Sequence, residues 1–341
     1  MEVKQTTFLT MPTKSTIFDC EILTPMFIGN AIPGEAELRP SAIKGALRFW
    51  WRAMHGGLPN LLEEESKIFG SADEKKGGRS KVIIEILKKL ENIKTGLPTN
   101  HNFKTTMYQD TRRGNRDDVD IIKFLAYGSE SKNYFDVNQT TKPSNFSFKI
   151  SYNDIAFESI LKDIVNMISV FGGLGSKSRN GFGRFFASTN NEPLEDIQIV
   201  LKKYMTASKS DFTALSKSIE LYALNGGPYS IWHDLLAGLG TAYKTGKESA
   251  GDNPHNYEKR VIIGAPIGTY NKHRHSKTHF FGITKSVNVF NGFILFLPYD
   301  YLIGADDYIN NPANFSTWKS DYASVTAKFN ADLINMKKVI I

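Results

Sequence analysis

Residues 15–188 contain strand and helix periodicities in an order that restricts the fold more than any other feature of the sequence. Four segments have strand character: STIFDCEIL (15–23), KVIIEIL (81–87), NFSFKISYN (145–153) and GFGRFFAS (181–188). One helix is predicted from Pro40 or Ser41 onward, and a second over FESILKDIVNMISVFGG (157–173). The order β–α–β–β–α–β predicts an α+β unit of the ferredoxin-like (RRM-like) type, with four antiparallel strands and two helices.

The chain is long enough for two such domains. It has 341 residues, and acid, Pro and Asn cluster in TNNEPLED (189–196), which indicates a boundary. We expect domains at residues 1–190 and 195–341, with a long polar insertion at about 92–145 in the first. In the second half, residues 278–302 predict two strands and residues 318–339 an amphipathic helix. A second, diverged copy of the α+β unit is therefore expected, although the sequence shows no repeat.

Three features indicate the compartment. Cys20 is the single cysteine, so an internal disulfide is excluded, which fits a reducing environment. The N-terminal segment has no apolar stretch typical of a secretory signal. The longest apolar run, FILFLP (293–298), is far below the ~18–20 residues that span a bilayer. We expect a soluble cytoplasmic protein with no membrane partner.

The excess positive charge lies in two short segments. The net charge is +7, and the acid-free windows 38–56 and 171–184 hold the following cations: Arg39, Lys44, Arg48, Arg52, Lys177, Arg179 and Arg184. A basic surface that is concentrated in this way points to a polyanion, most often nucleic acid.

The first basic segment, RPSAIKGALRFWWRAMHG (39–56), predicts a helix with a cationic stripe. At about 100° per residue, Arg48 lies about 40° and Arg52 about 80° from Lys44, opposite a broad apolar arc. Trp50 falls in that arc, so we interpret it as a core residue. Gly45 costs roughly 1 kcal/mol in a helix interior unless something approaches it closely. The alternative, an amphipathic helix whose charged face serves only solubility, stays open at this stage.

The second segment, FGGLGSKSRNGFGRF (171–185), is a glycine-rich loop. It does not fit a P-loop, because Ser176 separates Gly175 from Lys177, and it follows a helix where a Rossmann loop follows a strand. Kinase motifs are missing downstream. Glycine backbone N–H groups and nearby cations are suited to wrapping a phosphate backbone. The predicted RNA-binding residues of the loop are Gly172, Gly173, Gly175, Ser176, Lys177, Ser178, Arg179, Gly181, Gly183 and Arg184.

The basic helix, the IFGSA stretch (68–72) and the glycine loop together resemble the RAMP superfamily of CRISPR-associated proteins. Within it they are most similar to the first subunit of type III-B (Cmr) effector complexes. The resemblance implies tandem RRM-like domains and a non-catalytic, cofactor-free subunit that caps the complex near the 3′ region of the guide RNA and helps capture target RNA in antiviral defence. Implied partners are guide RNA, target single-stranded RNA and other RAMP subunits. Arg39, Lys44, Arg48, Arg52 and the loop residues would line the RNA backbone.

Some RAMP relatives cleave RNA with a histidine, so an endoribonuclease is the competing hypothesis. KHRHSKTHF places His273, His275 and His279 among cations, which is the composition that general acid–base cleavage beside a ribose 2′-OH requires. No HExxH or cysteine spacing predicts a metal site. A basic surface loop is the simpler interpretation of the cluster. In the insertion, Arg112, Arg113 and Arg116 stand beside Asp110, Asp117, Asp118 and Asp120, which argues against a simple phosphate clamp.

Overall fold

The computed structural model describes residues 13–29, 32, 35–72, 78–96, 104–106, 118–129, 132–137, 144–205, 208–250, 263–264, 276–300 and 312–341. Side chains of residues 104–106, 118 and 312–320 are outside the description. Across these ranges, no helix combines the length and apolar character needed to cross a membrane.

The chain alternates helices and short strands. Up to residue 204 the strands are β1 Lys14–Ile22, β2 Ile83–Lys88, β3 Ile93–Thr95, β4 Lys104–Thr106, β5 Asp118–Asp120, β6 Asn133–Phe135, β7 Asn145–Tyr152, β8 Phe185–Thr189 and β9 Glu192–Pro193. The helices there are α1 Pro40–Met54, α2 Leu61–Phe69, α3 Ile121–Leu125, α4 Phe157–Met167 and α5 Ile197–Tyr204, with a π-helical turn at Ile168–Gly172 and a 3-10 turn at Ser178–Asn180. Then follow β10 Glu220–Leu224, α6 Trp232–Ala250, β11 His279–Ser286, β12 Val289–Phe296, α7 Pro312–Ala331 and β13 Met336–Val339.

The first sheet contains the four strands that the sequence predicted. Its order is β2-β7-β1-β8-β9, and neighbouring strands pair antiparallel, with Phe18 opposite Phe148. Together with α1 and α4 this gives the predicted β–α–β–β–α–β order. The fourth strand begins at Phe185 and not at residue 181, because Gly181 and Gly183 have φ angles of +89° and +68°, which a strand does not allow.

The second half repeats this arrangement. Its sheet has the antiparallel order β11-β12-β10-β13, and its elements follow as β10, α6, β11, β12, α7, β13. The α+β class with antiparallel sheets is confirmed. The predicted helix over 318–339 is wrong at its end: α7 stops at Ala331, Asn335 takes a left-handed φ of +56°, and β13 pairs with β10.

The two halves share their apolar core. Each of the two hydrophobic clusters contains residues from both halves. Trp50 of α1 lies 5.6 Å, ring centroid to ring centroid, from Phe280 of β11. Part of the insertion also belongs to the core, because Ile121 and Leu125 of α3 are buried and lie against Gly240 of α6. The domain boundaries at 190 and 195 stay a prediction.

Candidate nucleic-acid interface

Helix α1 places its cations on one face and its tryptophans in the core. It begins at Pro40 after an extended Arg39 (φ −109°, ψ 148°) and buries one whole face: Ile43, Leu47, Trp50, Trp51, Ala53 and Met54. Lys44, Arg48 and Arg52 are all partly exposed on the other face. The cationic stripe therefore exists as predicted, and Trp50 is a core residue. We call this surface, formed by Lys44, Arg48 and Arg52, the cationic face.

An acid from the next helix organises the cationic face, and no local pattern in the sequence indicates it. Glu65 of α2 is only 1% exposed and accepts hydrogen bonds from Arg48 Nε at 2.5 Å and Arg52 Nη1 at 2.7 Å. Because one carboxylate lies beside three cations, the net charge of the cationic face is positive. Burial, and next the neighbouring Arg48, lower the pKa of Lys44 from its ordinary value. The two arginines are thus held in fixed positions on a surface that still attracts anions.

Replacing Glu65 should change stability and RNA affinity in opposite directions. We expect Glu65→Gln to lower the free energy of unfolding by about 1–3 kcal/mol, because two partly exposed arginines lose their charged hydrogen-bond acceptor. The same change removes a negative charge beside the two arginines, so affinity for single-stranded RNA should rise severalfold. Glu64→Gln is the matched control, since Glu64 is exposed and pairs with Lys67 on the same helix. Denaturant titration and RNA titration measure the two effects, and a parallel fall in both would contradict this assignment.

The space beside Gly45, on the exposed side of α1, is open. A Cβ added there would meet no described atom within 4 Å, and the residue is exposed. Packing within the described chain therefore does not explain this helix-interior glycine. At about 100° per residue, Gly45 lies next to Arg52 around the helix, where close approach of a ligand backbone would make use of the missing side chain.

The glycines of the loop serve packing, and that they also wrap a phosphate backbone stays a prediction. Gly172, Gly173, Gly181 and Gly183 are buried, and Gly175 alone of the five is exposed. An added Cβ would overlap Trp50 at Gly172, the Phe27 carbonyl oxygen at Gly175 and the Leu174 carbonyl oxygen at Gly183. These positions need glycine because the chain's own atoms approach closely.

Arg184 is also a structural residue in this conformation, and its role as an RNA contact stays a prediction. Its side chain is 0% exposed, and its guanidinium donates to the Phe281 carbonyl oxygen (Nε, 3.1 Å) and the Ser178 carbonyl oxygen (Nη2, 2.8 Å). Burial lowers the pKa of Arg184 to about 9, which leaves it charged at neutral pH. Arg184 therefore fastens the loop to β11 in the second half.

Arg179 and Lys277 extend this junction toward the surface. Arg179 donates from Nη1 to the Lys277 carbonyl oxygen at 2.9 Å, and its guanidinium carbon lies 4.8 Å from the Phe280 ring centroid. Lys277 donates to Asn180 Oδ1 at 2.5 Å and lies over the Tyr243 ring at 3.8 Å. Burial, followed by nearby cations, lowers the pKa of Lys277 well below its ordinary value. In the sequence Lys277 is one of the cations that accompany the predicted histidine cluster.

One cleft joins the two basic segments. It has a volume of about 630 Å³, and both Arg52 of α1 and Arg179 of the loop line it. The rest of its wall mixes apolar and polar side chains: Phe49, Gly56, Leu58, Pro59, Asn60, Leu61, Leu62, Glu63, Asp211, Phe212, Thr213 and Ser276. The fold thus brings together cations that are more than 120 residues apart in sequence.

The remaining predicted residues differ in exposure and in their contacts. Lys177 is partly exposed and adopts a left-handed φ of +60°. Ser176 and Ser178 are partly exposed, and the Ser176 backbone N–H donates to the Phe27 carbonyl oxygen at 2.7 Å. Arg39 donates to the Gly29 carbonyl oxygen at 3.4 Å, which keeps it at the start of α1. Lys177 is therefore a surface cation of the loop, and Arg39 is tied to the chain.

His279 has none of the properties of a general acid or base. It is 1% exposed in β11, its Nε2 lies 2.8 Å from Asn330 Oδ1, and its ring stacks on Phe329 at a centroid distance of 4.0 Å. Burial lowers its pKa to about 3, so the imidazole is neutral at pH 7. The other two members of the predicted cluster, His273 and His275, lie outside the described residues.

Two other predictions concern acids and metals. In the insertion, Asp120 caps α3 by accepting from the Lys123 backbone N–H at 3.1 Å. Asp118 belongs to β5, whereas Asp110, Arg112, Arg113, Arg116 and Asp117 lie outside the described residues. Within the described part of the chain, no group of three His, Cys, Asp or Glu side chains is arranged to hold a metal ion.

Comparisons of both sequence and structure find similarity to CRISPR-associated proteins. Residues 19–185 match the family model of the RAMP superfamily. The CRISPR system Cmr subunit Cmr1-2 of Pyrococcus furiosus is 29% identical over 187 residues, which cover 49% of this chain and 91% of that protein. The crystal structure of Cmr1 from Pyrococcus furiosus in its apo form matches with a TM-score of 0.56 and 18% identity, covering 96% of this chain and 98% of that one. At this level of identity, the structural match shows a shared fold.

Proposed function

We propose that this chain, whose residues 19–185 match the model of the RAMP superfamily, is a non-catalytic, RNA-binding subunit of a CRISPR effector complex of the Cmr type. Its partners are guide RNA, target single-stranded RNA and neighbouring RAMP subunits. In the complex it caps one end near the 3′ region of the guide and helps to capture target RNA. The similarity to Cmr1-2 and to the Cmr1 fold supports the subunit assignment.

The observation that carries the RNA-binding proposal is the cationic face beside the cleft. Arg48 and Arg52 are fixed by a buried carboxylate, Lys44 stands beside them, and Arg52 shares the cleft with Arg179. These side chains offer charge and hydrogen-bond donors for phosphate, and none of them forms a pattern that reads a particular base. Contacts of this kind position RNA, while base pairing between guide and target supplies sequence specificity.

The proposal is tested by RNA binding and RNA cleavage measured together on the purified chain. Labelled single-stranded RNA should shift without being cut, with or without EDTA. Affinity should fall steeply as salt rises, because phosphate contacts release counterions. Cleavage that survives EDTA and is lost in His273→Ala or His275→Ala would replace this proposal with the endoribonuclease hypothesis.

Among substitutions on the cationic face, Lys44→Glu best separates an effect on RNA binding from an effect on folding. Arg48 and Arg52 hold Glu65, so reversing their charge would also disturb folding, whereas no acidic partner of Lys44 occurs among the described residues. We expect Lys44→Glu to weaken RNA binding about tenfold and to reduce the slope of log affinity against log salt by about one. The control is Lys337→Glu, at an exposed lysine of β13 in the other sheet. Equal affinity of the two variants would remove Lys44 from the interface.

A further inference from the structure

The aromatic side chain of Tyr127 is exposed to solvent. It is 74% exposed, and among the described residues it is the only aromatic that is an exposed large hydrophobic residue. Every other aromatic side chain that the structure describes is buried or partly buried. Tyr127 follows the last turn of α3, in the described part of the insertion.

The turn that carries Tyr127 is ordered and attached to the glycine loop. The Ser129 backbone N–H donates to the Ala126 carbonyl oxygen at 2.8 Å, and Asn180 Nδ2 donates to the Leu125 carbonyl oxygen at 2.7 Å. The buried side of α3 packs on α6, and this packing fixes the orientation of the turn that follows α3. An exposed ring on an ordered turn loses little conformational freedom when it binds a ligand.

One cation of the glycine loop lies close to this turn. A Cβ placed on Gly128, the next residue, would lie 3.9 Å from Lys177 Nζ of the loop. Lys123 and Lys132 are exposed on the same turn of chain. Lys177 is two residues from Arg179, hence within about 7 Å of it along the backbone, since an extended residue spans at most about 3.5 Å. The Tyr127 turn thus lies beside Lys177 of the loop, whose Arg179 lines the cleft.

We infer that Tyr127 stacks on an unpaired base of single-stranded RNA while Lys177 neutralises the adjoining phosphate. The inference rests on the proposed RNA-binding function and adds the class of RNA, single-stranded with an accessible base. An aromatic ring beside backbone-binding cations is the arrangement that single-stranded nucleic acids use, because every base has a face that can stack and the phosphates need neutralising. Bases inside a duplex are already stacked, so the ring gives no advantage there.

The experiment compares wild type, Tyr127→Phe and Tyr127→Ser with single-stranded and duplex RNA of the same sequence. Tyr127→Ser should lose roughly 5- to 100-fold in affinity for the single strand, as expected for one stacked base, and Tyr127→Phe should keep it. Duplex affinity should be equal in all three proteins. RNA that carries 2-aminopurine should show fluorescence quenching on binding to wild type and to Tyr127→Phe, and not to Tyr127→Ser.

Ile155→Ser is the matched control, because it also removes an exposed apolar side chain. It should leave RNA affinity unchanged. If Tyr127→Ser binds single-stranded RNA as tightly as wild type, the stacking assignment is overturned while the proposed function stands. If wild-type protein binds no RNA at low salt, the proposed function fails and the inference fails with it. The unfolding transition of each variant shows that the comparison is between folded proteins.

Discussion

Gly183→Ala should destabilise the protein by roughly 3–5 kcal/mol. The new methyl group would overlap the Leu174 carbonyl oxygen, which is backbone and has no rotamer to change, and φ at this position is +68°. Left-handed backbone costs a non-glycine residue about 1–2 kcal/mol, and overpacking a tight site commonly adds about 1–3 kcal/mol. Because the overlapping atom is backbone and cannot move aside, we expect the upper part of the combined range of about 2–5 kcal/mol. At about 2 °C per kcal/mol for a chain of this size, the melting temperature should fall by roughly 6–10 °C.

Gly45→Ala makes the same change at another glycine, and we expect it to raise the stability of the protein. Because a Cβ at Gly45 meets no described atom within 4 Å, alanine should stabilise α1 by about 0.5–1 kcal/mol. If an RNA backbone approaches the helix there, this more stable variant should bind RNA less tightly. Calorimetry and RNA titration of the two variants separate a packing glycine from an interface glycine. A Gly183→Ala protein that melts like wild type would show that the loop glycines are not packing residues.

The second large effect is a loss of stability in acid that depends on His279. The unfolded chain binds a proton at a histidine pKa near 6.5, whereas the folded chain resists protonation of His279 until about pH 3. The unfolded state therefore holds more protons between these values, so stability falls as the pH falls. The expected loss is about 1.4 kcal/mol per pH unit below 6.5, or about 3 kcal/mol at pH 4.

Urea unfolding between pH 4 and 8 measures this dependence, and His279→Phe isolates it. Phenylalanine keeps an aromatic ring against Phe329 and Phe296 but does not titrate. It leaves Asn330 without its ring partner, so its stability at pH 7 will be lower; the informative quantity is the slope. Carboxylates that do not interact with His279 titrate in both proteins and cancel in the comparison. Glu220 is not one of them, because it is bonded to Asn330 and interacts with His279. Equal slopes would mean that His279 reaches solvent and would reopen the histidine nuclease hypothesis.

The sequence was sufficient for the features that depend on local periodicity. Alternation in β1 placed Phe18, Cys20 and Ile22 in the core, and a 100° helical rotation placed Lys44, Arg48 and Arg52 on one face of α1. The antiparallel sheet of the first half followed from the order of these elements. The second half was less predictable: β13 is a strand through its pairing with β10, although its sequence continues a helical pattern.

Only the tertiary structure decided what each basic or glycine residue does. Glu65 is 13 residues from Arg52, and Arg184 is 97 residues from the Phe281 carbonyl that it binds. Which polar groups meet at such separations depends on how helices and sheets pack, and no local pattern encodes it. Glycine is ambiguous for the same reason, because a missing side chain fits both an approaching ligand at Gly45 and an approaching backbone at Gly183. The sequence by itself determined a two-part α+β chain with a cationic stripe; packing determined which cations face solvent and which hold the two halves together.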